Sequence, residues 1–137
     1  MNKPLRMLIC GDRDWTDKDT IKKVMMNFPL GTIVIHGGAR GADSLAGIVA
    51  KELGLHVVVY KADWARFGKA AGPIRNAEML EDGKPDGVIA FHHDIRKSKG
   101  TAHMVKIAKK KGLEVEIYPD QTNLGEWFRI ILGKELK

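Results

Sequence analysis

Five short apolar runs alternate with stretches of helical periodicity, and few architectures accommodate that rhythm. The runs are Met7–Cys10, Thr32–Ile35, Val57–Tyr60, Val88–Phe91 and Val115–Tyr118. The first four are nearly continuous hydrophobe, as expected of strands covered on both faces. Between them, Ile21, Val24, Met25 and Phe28 recur at i, i+3, i+4 and i+7, as do Ala42, Leu45, Ala46 and Val49. Ile74, Ala77 and Leu80 mark a third helix, and Thr101, Met104, Val105 and Ala108 a fourth. Gly54, Gly83 and Gly112 follow helical stretches, each suiting a position with φ > 0 just past a helix end. Parallel strands joined by right-handed crossovers make this an α/β chain, a doubly wound α/β/α sandwich of about five strands. A further helix is expected over Thr122–Leu132, within 122–134. Leu124, Trp127, Phe128 and Ile131 give it an apolar face that either caps the sheet or joins two copies of the chain.

The 137 residues read as one domain over 1–137, with no repeat, linker or low-complexity tract. Cys10 is the sole cysteine, so no internal disulfide is possible and a reducing, cytoplasmic setting is expected. No apolar run approaches the roughly 20 residues that span a bilayer. The opening Met1-Asn2-Lys3-Pro4 leads into a strand-like run, unlike a signal peptide. A net charge of +6 raises the question of nucleic acid. The charge is spread evenly, however, with 7 basic and 5 acidic groups in residues 1–50, 9 and 7 in 51–100, and 7 and 5 in 101–137. No basic arm or tail exists, and Lys109-Lys110-Lys111 sits where cations favour a helix C-terminus. A nucleic-acid partner is therefore disfavoured, and a small ligand is expected instead.

In doubly wound sheets ligands bind beyond the carboxyl ends of the strands, and the unusual residues fall there. After the second run comes His36-Gly37-Gly38-Ala39-Arg40-Gly41-Ala42-Asp43. Its glycines permit close backbone approach, the following helix offers N–H groups, and Arg40 supplies a fork for phosphate. Asp43 either caps that helix or accepts a ribose hydroxyl. The same glycines would equally serve a tight turn. After the first run, Gly11 permits close approach, Arg13 reaches phosphate and Trp15 offers a stacking face, unless Trp15 packs on the sheet edge. The third loop is long and holds Asp63, Trp64, Arg66, Phe67 and Lys69, with Arg75 and Asn76 near the start of the next helix. It reads either as part of the ligand site or as a lid with Trp64 and Phe67 tucked into the core. After the fourth run, Gly100-Thr101 opens a helix and makes a second anion site. His92, His93, Asp94 and His103 lack the spacing of a metal site, so no metal is expected. Gly37, Gly38, Arg40, Gly41, Gly100 and Thr101 are thus expected to hold phosphate. Arg13, Arg75 and Asn76 would close over it, and Trp15 or Trp64 would contact a base. No cofactor is required beyond this nucleotide-type ligand.

The order Gly-Asp-Arg-Asp-Trp, Gly-Gly-Ala-Arg-Gly-Ala-Asp, Gly-Lys-Ala-Ala-Gly-Pro-Ile-Arg-Asn and Gly-Thr-Ala-His-Met closely resembles the YspA-related branch of the SLOG superfamily. The resemblance covers roughly residues 6 to 118. It implies a Rossmann-like sheet and a pocket for nucleotides or derived ligands such as ADP-ribose or NAD-like molecules, held by a sensor or a nucleotide-processing enzyme. The superfamily also contains the DNA-processing protein DprA, which makes nucleic-acid binding a further alternative. Its LOG-type members release a base from nucleoside monophosphates and carry Gly-Gly-x-Gly-Thr-x-x-Glu. Aligned on Gly100-Thr101, Met104 stands where that glutamate belongs. An N-glycosidase or phosphohydrolase would need another carboxylate, and Asp12, Asp14, Asp43, Asp63 and Glu78 are the candidates.

Overall fold

A computed structural model describes residues 3–119. The helix expected over 122–134 lies outside the described residues. The apolar runs form five strands: β1 (Arg6–Gly11), β2 (Ile33–His36), β3 (His56–Val59), β4 (Gly87–Phe91) and β5 (Glu114–Tyr118). All pair in parallel, in the order β3-β2-β1-β4-β5. The helices are α1 (Lys18–Met25), α2 (Ala42–Glu52), α3 (Trp64–Phe67), α4 (Ala71–Glu81) and α5 (Gly100–Lys110). Short 3-10 turns occupy Gly68–Ala70 and Ile95–Lys97.

Side-chain alternation along β1 divides the core. Met7 and Ile9 pack with Ile21, Val24 and Met25 of α1 and Ala46 and Val49 of α2. Leu8 and Cys10 face the other way, onto Met79 and Leu80 of α4 and Met104, Val105 and Ala108 of α5. The helices therefore form two layers around the sheet. Strand order reverses between β1 and β4, and a crevice opens beyond their carboxyl ends.

Three local expectations change. β3 is an edge strand with one neighbour, and it is half-exposed rather than covered on both faces. On α4 the buried face is Ala71, Asn76, Met79 and Leu80, leaving Ile74 exposed. The apolar periodicity misplaced that face because a polar residue, Asn76, points inward to tie α4 to α5. At the end of α4 the left-handed residue is Lys84 (φ 46), one position past Gly83. Gly83 serves close packing instead, since a Cβ there would lie 2.2 Å from the Met79 carbonyl oxygen.

Candidate functional site

Two adjoining cavities of about 410 and 380 Å³ lie beyond the carboxyl ends of the strands. Arg13, Ala39, Arg40 and Arg75 line both. The larger one also takes in Gly11, Asp12, Asp14, Asp43, Asn76, Gly100, Thr101 and Met104. The smaller one is bounded by Gly37, Gly38, Lys61 and Trp64, with no acidic residue in its wall. Most residues expected at the site are thus brought together. Gly41 lies behind the wall, and Trp15, Asp63 and Glu78 stand apart from both cavities.

Trp15 is the plainest departure. Its ring is buried against Phe91 and stacked on His93, and its Nε1–H donates to the Asp17 carbonyl at 2.9 Å. An indole satisfied in this way is part of the core and offers no face to the cleft. Trp64, by contrast, is 50% exposed at the mouth of the smaller cavity, with the Arg13 guanidinium 5.9 Å from its ring centre. Phe67 is also exposed, so the third loop does not tuck its aromatics into the core. Asp63 caps α3 by accepting the Arg66 N–H.

The glycine loop has a different chemistry from the one its composition suggests. The Gly37 N–H donates to the Asp43 carboxylate at 2.9 Å, and the Ala39 N–H faces the same group. The Gly38 N–H donates to His36 Nδ1 at 3.0 Å. At the start of α2 the Ala42 N–H donates to the Asp12 carbonyl. The chain therefore fills its own anion-binding turn with an internal carboxylate. Because these amides are already satisfied, the groups left facing the cavities with spare hydrogen-bond donors are the cationic side chains at the rim. The Arg75 guanidinium donates to the Gly37 carbonyl and the Tyr60 carbonyl, and its Nε donates to Asn76 Oδ1. A Cβ on Gly37 would collide with that guanidinium, at 2.5 Å from one nitrogen. Asn76 in turn donates to the Gly100 carbonyl and faces His103 Nδ1 at 3.2 Å. Thr101 is held on both sides: its N–H donates to Ser98 Oγ, and its hydroxyl donates to the Gly11 carbonyl at 3.0 Å.

At the rim, Arg40 pairs with Asp14 at 3.2 Å and donates from Nε to the Arg13 carbonyl. Both side chains are largely solvated, so the pair holds the fold weakly and leaves Arg40 available. Lys97 and Lys99 add charge along the α5 side of the larger cavity, and Lys61 does so in the smaller. Residue-by-residue reading missed Lys61 and His92 as wall residues. Each lies just past a strand end, and that placement is the signal that would have found them.

Burial raises the Asp43 pKa from 3.8 to about 6, against the pull of the Gly37 N–H and of Arg75. Burial lowers His36 from 6.5 to about 4, helped by Arg75 and Lys51. The two have opposite consequences for stability. The Asp43 contribution is complete below pH 3.8 and is lost as pH rises through about 6. The His36 contribution is complete above 6.5 and is lost as pH falls toward 4. Asp43→Asn removes only the first. The stability of the native chain relative to this variant is therefore expected to fall by on the order of 2 kcal/mol between acid and neutral pH. Denaturant unfolding across that range measures it, and a gap that stays constant with pH contradicts the assignment.

Strand order and crevice together define a Rossmann-type α/β protein whose cleft sits at the switch point of its sheet. A solved structure of DNA processing protein A (DprA) from Streptococcus pneumoniae shares this fold, with a TM-score of 0.71 at 16% identity. The match covers 96% of this chain and 56% of that one, so the chain spans little more than half of that protein. The Gene 61 protein of Mycobacterium phage D29 is 38% identical over 125 residues, covering 85% of this chain and 98% of that protein. Residues 5–67 match the family described as YspA, cpYpsA-related SLOG. The chain belongs to that family. Among the described residues no helix is long and apolar enough to cross a membrane.

Proposed function

We propose that the chain binds a nucleotide or nucleotide-derived ligand, such as a nucleoside phosphate or an ADP-ribose or NAD-like molecule. The observation that carries this reading is the convergence of Arg13, Arg40 and Arg75 on the wall shared by two adjoining cavities. The cavities have the dimensions of small-molecule sites, which run from about 300 to 1,000 Å³. Arginine suits phosphate because its planar fork donates two parallel hydrogen bonds. Trp64 supplies an exposed aromatic face beside that charge, as a base requires. Charge that is even along the sequence is gathered at one end by the fold, since Lys61, Lys97 and Lys99 join the three arginines there.

Arg40→Ala is the cleanest test, because Arg40 is solvated and among the described residues holds only Asp14 and the Arg13 carbonyl. Folding stability should change by no more than about 0.5 kcal/mol. Affinity for AMP, ADP-ribose and NAD should fall by about 1.5–3 kcal/mol, the worth of a charged hydrogen bond. Calorimetry reads both quantities. Unchanged affinity in the variant removes Arg40 from the site, and preference for short single-stranded DNA over all three ligands overturns the small-ligand reading.

A further inference from the structure

Asp43 is a buried carboxylate without a direct counter-ion. It stands in the first turn of α2, 5% exposed, and lines the larger cavity. Its carboxylate accepts the Gly37 N–H at 2.9 Å and the Ala39 N–H, both neutral donors. Among the described residues it makes no ion pair within 4.0 Å. The charges that offset it act from farther away, from Arg75 of α4 and Arg13 of the loop after β1. Cys10 of β1 also faces it, and burial together with the Asp43 charge keeps that thiol protonated. His36 of β2 lies farther along α2, against Gly47, where burial lowers its pKa to about 4 and keeps the ring neutral. Asp12, Asp14, Arg40, His92, Lys97 and Lys99 stand on the rest of the cavity wall.

Arg13 and Arg75 are also two of the three arginines on the wall shared by both cavities. An anion bound there draws on the same positive field that keeps Asp43 ionised. It also sets a like charge beside a desolvated carboxylate, where solvent and salt screen the repulsion poorly. A proton on Asp43 relieves both penalties, since a buried charge without a contact ion is already unfavourable. We infer that Asp43 takes up one proton from solvent when a phosphate-bearing ligand enters this cleft, and so couples ligand affinity to pH. The inference rests on the nucleotide-binding reading above. The protonated carboxyl keeps an acceptor oxygen for the glycine loop and gains an O–H donor for the ligand. Burial has already brought Asp43 to about 6, so a modest further rise carries it across neutral pH. Linkage fixes the sign: the bound form holds the proton more tightly, so affinity is highest below about pH 6 and falls as pH rises, by at most about tenfold per unit. A ribose hydroxyl on the same carboxylate has the opposite effect. Donation to the charged form lowers its pKa, and binding then releases a proton.

The test titrates the full chain with NAD, ADP-ribose and AMP at about pH 7 in buffers of different ionisation enthalpy, with ligand-induced melting shifts recorded in parallel. The dependence of the heat on the buffer counts the protons exchanged on binding. NAD and ADP-ribose carry no group that titrates near neutrality, so uptake with either on the native chain is itself a test. The AMP phosphate does titrate there, so its uptake is read as the difference between the native chain and Asp43→Asn. That variant keeps an acceptor for the Gly37 N–H and puts an N–H donor where the protonated carboxyl has its O–H. The native chain is expected to take up about 0.4 to 1 proton per ligand more than Asp43→Asn. Between about pH 6 and 8 the native affinity should fall about fivefold or more relative to that of the variant. Binding to the native chain without proton uptake, or with release, overturns the inference and leaves the binding reading standing. Equal uptake in Asp43→Asn assigns the proton to another wall residue such as His92 and does the same. Neither heat nor a melting shift with any of the three ligands overturns both.

Discussion

Gly41→Ala is expected to lower the melting temperature by about 10 °C or more. Gly41 has φ +79, and a Cβ there would lie 2.3 Å from the Asp12 carbonyl oxygen and 2.4 Å from that of Arg13. Those atoms belong to the loop after β1, which the Ala42 N–H anchors through its hydrogen bond to Asp12. Left-handed backbone alone costs an alanine about 1 kcal/mol. Backbone overlap at such distances forces the two loops apart and adds about 2 kcal/mol or more. Gly31→Ala is the control: its φ of +88 is similar, yet nothing lies within 4 Å. It should cost only the conformational part, about 1 kcal/mol. Thermal unfolding of the two variants separates close approach from turn geometry, and equal losses would contradict the packing of the β1 and β2 loops.

Arg75→Ala is expected to abolish measurable binding of anionic ligands and to destabilise the fold by about 2–4 kcal/mol. The guanidinium ties the carbonyls of Gly37 and Tyr60 to Asn76, and so clamps the ends of β2 and β3 onto α4. It also opposes the buried charge of Asp43, whose pKa it helps to hold down. Removing it leaves partly buried carbonyls without their donor and takes the most buried of the three shared arginines out of both cavity walls. Lysine should not rescue either property, since an ammonium cannot reach three acceptors in one plane. Paired denaturant titration and calorimetry on Arg75→Ala and Arg75→Lys check this. A lysine variant with native affinity would show that only charge matters at this position.

Much of this architecture is legible in the sequence because the sheet interior is almost purely apolar. Val88, Ile89, Ala90 and Phe91 are fully buried in β4, and their run of hydrophobes allows little else. The helices of the α1 and α2 layer follow their apolar periodicity for the same reason. Legibility fails where a polar group does a structural task. Asn76 faces inward as a bridge between α4 and α5, and so rotates α4 away from the face that Ile74 implied. Trp15 next to Arg13 looks like a ligand residue, but the Asp17 carbonyl and the His93 ring claim it for the core. The glycine loop borders the cleft, yet its amides turn inward because Asp43, six residues beyond Gly37, reaches back to fill the turn. Spacing alone does not distinguish a carboxylate that caps a loop from one that faces a ligand. Asp12 and His92 stand 80 positions apart in the chain, and only the register of β1 with β4 brings their side chains to 3.9 Å.

The central claim is that a nucleotide-type ligand sits at the carboxyl ends of these strands, and an amide-detected NMR titration with AMP, ADP-ribose and NAD addresses it most directly. Saturating ligand is predicted to shift the resonances of Arg13, Asp14, Ala39, Arg40, Gly100 and Thr101, which line the cleft. Those of Arg6, Gly83 and Asp86, at the opposite end of the sheet, should stay in place. Shifts confined to that opposite end, or none with any of the three ligands, would contradict the account.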